Sequence, residues 1–205
     1  MDAAPFFLAR ALAAGLAAFA VRRASGRLCA FLSEPGVRAF LGGETPEAVA
    51  AGVVSVVFSV FLAGAASAGG ASPALCCLAA GFYLHEAWGD AGRRLGGGGC
   101  WGAFRQGAGL VVLAVGPPRA AQAVLAAETH VGLVAAACLF RLRPGPKLRL
   151  ALAAAAVVAA APLARAGPLE PGVAAVLGLR AALDLYWLYC LARLPEGIEY
   201  PPGRA

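Results

Sequence analysis

The chain contains no asparagine, one lysine (Lys147) and one isoleucine (Ile198) in 205 residues. Without asparagine there is no N-glycosylation acceptor anywhere in it. With alanine, glycine, arginine and proline abundant, these skews follow GC-rich codon usage, as in a GC-rich large DNA virus, an actinobacterium or an alga. Charge is also scarce. Only 14% of residues are charged, 60% are hydrophobic and the mean hydropathy is +0.75. A soluble domain is about a quarter charged and roughly half apolar, so this composition rules out a soluble cytosolic enzyme. It equally excludes a disordered chain, which needs low hydrophobicity. What is there reads as one polytopic, all-α membrane domain.

Seven apolar runs approach the roughly 20 residues that cross a bilayer. They lie at about 5–21, 47–66, 72–90, 101–117, 120–140, 148–166 and 172–193. The first is read as a retained span, because Arg10 interrupts it and its arginines follow it, the reverse of a secretory signal. Basic residues then alternate between loops. Arg22, Arg23, Arg27, Arg38, Arg93, Arg94, Arg141, Arg143, Lys147, Arg149, Arg193 and Arg204 fall on one side, Arg119 and Arg165 on the other. By the positive-inside rule this predicts a lumenal or extracellular N-terminus and a cytoplasmic C-terminus. The chain thus divides into an N-terminal span with a basic cytoplasmic loop (1–46), a transmembrane bundle (47–193) and a cytoplasmic tail (194–205). The endoplasmic reticulum or the plasma membrane is the expected location in a eukaryotic or viral setting.

Punctuation supports these boundaries. Glu44-Thr45-Pro46-Glu47 predicts a helix start with Thr45 as cap. Gly96 to Gly99, Pro117-Pro118, Pro144-Gly145-Pro146 and Pro168 mark breaks between runs. The six cysteines read as small hydrophobes. No metal or cofactor is expected, since the histidines stand on different runs and no C-x-x-C, H-x-x-H or phosphate-loop spacing occurs. Nucleic acid is not an expected partner either. Membrane lipid is, with a second copy or another membrane protein possible.

Ionisable residues inside apolar spans are expensive and point to function by default. Four clusters stand out. The third run ends with His85, Glu86 and Asp90, the two acids at i, i+4 on one helical face. Arg105-Gln106 opens the fourth. The middle of the fifth carries Glu128-Thr129-His130, with Glu128 expected to face the bundle interior. The seventh carries Arg180 and Asp184, an i, i+4 pair read as self-neutralising and structural. Snorkelling to the headgroups is the competing reading for His85, Glu86, Asp90 and Arg105.

Three short segments resemble the TLC-domain family, the TRAM, Lag1 and CLN8 homology group that includes ceramide synthases. Val54-Ser55-Val56-Val57-Phe58-Ser59 is similar to its S-x-x-H-S stretch, with Phe58 where histidine is usual. Gly81-Phe82-Tyr83-Leu84-His85-Glu86 through Asp90 resembles its G-Y-F-x-x-D-x-x-D segment. Ala127-Glu128-Thr129-His130-Val131-Gly132-Leu133 resembles its E-x-S/T-x-x-x-L segment. The likeness implies a six-helix ring plus an N-terminal span. It departs at one place: where the family carries paired histidines, this chain has Arg105-Gln106. Arginine does not give up its proton near neutral pH and glutamine exchanges none.

The resemblance therefore implies a catalytically degenerate lipid-binding or lipid-modulating protein, with Tyr83, Arg105, Glu128 and His130 expected to bind lipid. One alternative is an acyltransferase-like enzyme with a replaced catalytic set, His85 as base and Glu86 or Asp90 orienting it. Another is a small transporter or channel, with Glu128, Arg180 and Asp184 on its ion path.

Overall fold

The computed structural model describes residues 4–41, 44–93, 100–139, 146–164 and 167–192. Among them the regular elements are helices, and no strand occurs. They are α1 (Ala4–Leu32), α2 (Pro35–Arg38) with a 3-10 turn (Ala39–Leu41), α3 (Pro46–Gly69), α4 (Pro73–Arg93), α5 (Cys100–Val115), α6 (Pro118–Ala127), α7 (Thr129–Leu139), α8 (Pro146–Ala164) and α9 (Pro171–Ala192). The protein is all-α, and each apolar run coincides with a long helix or, for the fifth, with a pair.

Proline sets the helix starts. Helices α3, α4, α6, α8 and α9 each begin on a proline, whose fixed φ and missing N–H suit the first turn. The Thr45 hydroxyl accepts from Ala48 N at 3.2 Å, so the expected cap is present. Ser72 does the same for α4, accepting from Leu75 N at 3.2 Å. At the other end of α3, Gly70 adopts φ 74° and donates its N–H to Ala66 O. That positive-φ conformation is readily open to glycine alone.

Two expectations need correction. Arg22, Arg23 and Arg27 do not lie in a loop; they extend α1, with exposed side chains. Arginine is a good helix former, and no proline interrupts the segment before Pro35. The helix reaches about 44 Å at 1.5 Å per residue, well beyond the roughly 30 Å of a bilayer core. The fifth run is also not continuous, being broken at Glu128 into α6 and α7. Glycines 96–99 lie outside the described residues.

Helix α1 packs along α4, and α3 packs against α7. Small residues permit the first approach. A Cβ on Gly81 would lie 2.5 Å from Ala17 Cβ, 2.7 Å from Ala18 N and 2.8 Å from Ala14 O. The core then fills with Leu62, Leu75, Phe82, Tyr83, Val112, Val124 and Leu125, and Phe58 stacks on Phe82 with ring centroids 5.1 Å apart.

Polarity is distributed against the habit of soluble domains. Ser55, Ser59, Gln106, Glu128, His130, Arg180 and Asp184 are buried. Leu12, Leu16, Phe19, Val57, Phe61, Leu133, Leu150, Val157 and Leu179 are exposed, Leu16 at 71% and Leu150 at 73%. Water would penalise both halves of this arrangement. Among the described residues, α3 is the one helix long and apolar enough to cross a membrane, and α5 holds a shorter apolar stretch, Ala103–Val115.

Candidate functional site

The buried polar side chains meet where α4, α5, α9 and the α6–α7 break converge. The break comes first, because it aims two of them. Glu128 N bonds Leu125 O at 3.2 Å, and Val131 N bonds Glu128 O at 2.9 Å, so the chain tightens to a three-residue turn. Tightening takes the Ala126 and Ala127 carbonyls out of the regular ladder. Side chains three residues on supply donors: Thr129 Oγ1 donates to Ala126 O at 3.0 Å, and His130 Nδ1 donates to Ala127 O. In this way the break is satisfied without water, as an apolar surrounding demands.

Glu128 is wholly buried. Its Oε1 accepts from Tyr83 Oη on α4 at 2.7 Å and from the Arg180 guanidinium on α9. Its Oε2 has no hydrogen-bond partner, and neither do Ser59 Oγ or Gln106 Oε1, all three buried. Arg180 is the centre of the cluster. It also donates through Nε to Asp184 Oδ2 at 3.2 Å and through Nη1 to the Arg105 carbonyl at 3.2 Å. Its guanidinium carbon stands 5.3 Å from the centroid of the Tyr83 ring, within cation–π range. Gly109 makes room for this. A Cβ there would collide with Arg180 Nη1 and approach Tyr83 Cε2 to 2.7 Å.

Asp184 completes the arrangement. Arg105 Nη1 lies 3.4 Å from its Oδ1, and His130 Nε2 lies 3.2 Å from the same oxygen. Two arginines and two carboxylates thus share one dry volume, with a phenol and an imidazole on its edge. Of the ionic side chains only Arg105 reaches the surface, with 11% of its side chain exposed. Each charge has an opposite partner, which is what makes burial of the set bearable.

The sequence-predicted residues separate into two groups. Tyr83, Arg105, Glu128 and His130 belong to the cluster. His85 and Glu86 are half-buried on α4 beside it, and Ser55 on α3 donates to Glu86 Oε1 at 3.5 Å. Asp90 lies on α4, but its side chain is outside the described residues. Arg180 and Asp184 do pair at i, i+4, as their spacing suggested, yet each also reaches other helices. From sequence only the transporter alternative brought Glu128, Arg180 and Asp184 together, and it did so without contacts. Spacing reports neighbours along a helix, and nothing in it tells that Arg180 lies opposite Glu128. One signal was available: glycine at 109, four residues from Arg105 on the same face.

Among the described residues no three histidine, cysteine, aspartate and glutamate side chains gather into a group able to hold a metal ion. A shallow apolar groove of about 410 Å³ lies elsewhere, between α3 and α4 at their connecting turn, lined by Phe61, Gly70, Ser72, Leu75 and Leu78 among others. No protein-family model, curated protein or solved structure matches this chain.

Proposed function

We propose that the chain is a polytopic membrane protein of about seven spans, TLC-like in plan, that binds or redistributes membrane lipid without acyl-transfer chemistry. One observation carries the reading. The three segments that resemble the TLC family come together in space, beside the residues that replace its histidine pair. Phe58 stacks on Phe82, Ser55 bonds Glu86 and Tyr83 bonds Glu128. A Cβ on Gly132 would lie 3.2 Å from Ser59 Cβ. Arg105 stands over the same centre. Short likenesses produced by composition alone have no reason to converge.

The inside-out polarity supports the membrane part of the proposal. A buried ionic core within apolar outer faces suits hydrocarbon, where polar groups must turn inward. The charge alternation supports an N-terminus in the lumen or outside and a C-terminus in the cytoplasm. At the place of the histidine pair, Arg105 holds Asp184 and offers no base. A guanidinium at the edge of the cluster suits a lipid phosphate or carboxylate.

The test has two arms. The chain stays with the membrane on alkaline carbonate extraction, and its deletion changes the lipid composition of its own cells. Release by carbonate, or an unchanged lipidome, removes the proposal. Purified protein that transfers acyl groups from acyl-CoA, with His85→Ala inactive, would favour the enzyme reading instead.

A second reading, a small transporter, is favoured by the helix break at Glu128. Broken helices at membrane depth are a recurrent way of placing an ion site. Ion flux through reconstituted wild type that stops in Glu128→Gln would establish it.

A further inference from the structure

We propose that the buried cluster contains a proton-binding site, with one exchangeable proton held by His130 between the Ala127 carbonyl and the Asp184 carboxylate. The inference stands on geometry and does not depend on the lipid reading.

A carbonyl oxygen only accepts, so the His130 Nδ1 facing Ala127 O must carry hydrogen. In a neutral ring the other nitrogen is then a bare acceptor. That nitrogen, Nε2, stands 3.2 Å from Asp184 Oδ1, itself an acceptor, and both side chains are wholly buried. Two acceptor atoms brought this close in a buried interior repel. A proton between them turns the contact into a charge-assisted hydrogen bond.

The rest of the cluster works against that proton, which leaves it exchangeable. Among the described residues Asp184 on α9 lies against His130, and Arg105 on α5, Arg180 on α9, Glu128 at the α6–α7 break and Tyr83 on α4 join it through the network around that carboxylate. Helix α3, which packs against α7, carries the buried Ser59 hydroxyl, and residues 150–157 of α8, the other helix packed on α7, are leucine, alanine and valine. Arg105 and Arg180 already balance Glu128 and Asp184. A protonated His130 leaves the cluster with one net positive charge in a low dielectric, where an uncompensated charge is costly. The local hydrogen bond favours the proton and the cluster's net charge resists it. Access lies past Arg105, which shares Asp184 Oδ1 with His130 and alone among the ionic groups reaches the surface.

The experiment is solid-state NMR of the full-length, isotope-labelled chain in lipid bilayers at pH 7. The chain has two histidines, so His85→Gln leaves the His130 ring as the sole imidazole signal. The expected result is a ring with both nitrogens protonated, and loss of that signature in folded Asp184→Asn. A neutral ring in the wild-type chain overturns the proposal, as does a doubly protonated ring that persists in folded Asp184→Asn. Should Asp184→Asn fail to fold, dipolar recoupling on the wild-type chain decides. A contact from His130 Nε2 to an aspartate carboxyl carbon supports the site, and its absence overturns it.

Discussion

Tyr83 and Glu128, 45 residues apart in sequence, share a hydrogen bond of 2.7 Å in the centre of the protein. The bond ties α4 to the break between α6 and α7. It also joins two stretches whose likeness to one family was argued separately. Arg180 sits over the same phenol and on the same carboxylate oxygen, so the three side chains form one unit.

Removing only the phenol oxygen measures the weakest member of that unit. Tyr83→Phe keeps the ring under Arg180 and deletes one donor to Glu128. Interhelical hydrogen bonds in membrane proteins contribute about 0.6 kcal/mol on average and up to about 1.7. The variant should fold and lose stability in that range, read from unfolding in lipid–detergent mixtures. A loss of about 4 kcal/mol would mean that Tyr83 does far more than donate to Glu128.

The ion pair behaves differently, because one removed partner leaves a buried charge without compensation. Glu128→Gln or Arg180→Gln alone should cost about 3–5 kcal/mol. The double variant should cost less than the two singles added, with a coupling of about 1–3 kcal/mol. Strict additivity in the cycle would show that the two groups do not interact in the folded chain.

Two glycines should be intolerant where others are not. Gly109→Ala drives a methyl into Arg180 and Tyr83, and Gly81→Ala forces α1 off α4. Each should destabilise by about 1–3 kcal/mol, the usual cost of overpacking. Gly64 and Gly107 face open space, so alanine there should be harmless. Equal effects at all four positions would contradict the helix packing described.

Orientation has a clean reporter, since the chain lacks asparagine. A polar loop carrying one Asn-x-Thr acceptor, inserted after Gly70, should be glycosylated in microsomes if the α3–α4 turn faces the lumen. The same loop inserted after Arg38 should stay unmodified. The opposite pattern would invert the topology inferred from the arginines.

Much of the helical framework is legible in the residues. Thr45-Pro46 announces α3 and Pro117-Pro118 announces α6, because capping and proline stereochemistry act within one turn of chain. The apolar runs foretell the remaining long helices by composition. Two features escape such reading. Helix α1 runs on through Arg22, Arg23 and Arg27, since charge does not stop a helix. The break at Glu128 has no glycine or proline to mark it, and depends on Thr129 and His130 taking the freed carbonyls.

The same division holds for the candidate site. Sequence alone showed that ionisable residues stand inside apolar runs and singled out Arg105, Glu128 and His130 among them, while the family resemblance added Tyr83. Local chemistry suffices for that, because each residue's cost of burial is its own. Tertiary structure alone decided their partners. Arg180 and Asp184, a self-contained pair along their helix, became the hub that joins α5, α9 and the α6–α7 break. A buried charge is stabilised by whatever opposite charge the packing brings within about 4 Å, and that distance is a property of the fold.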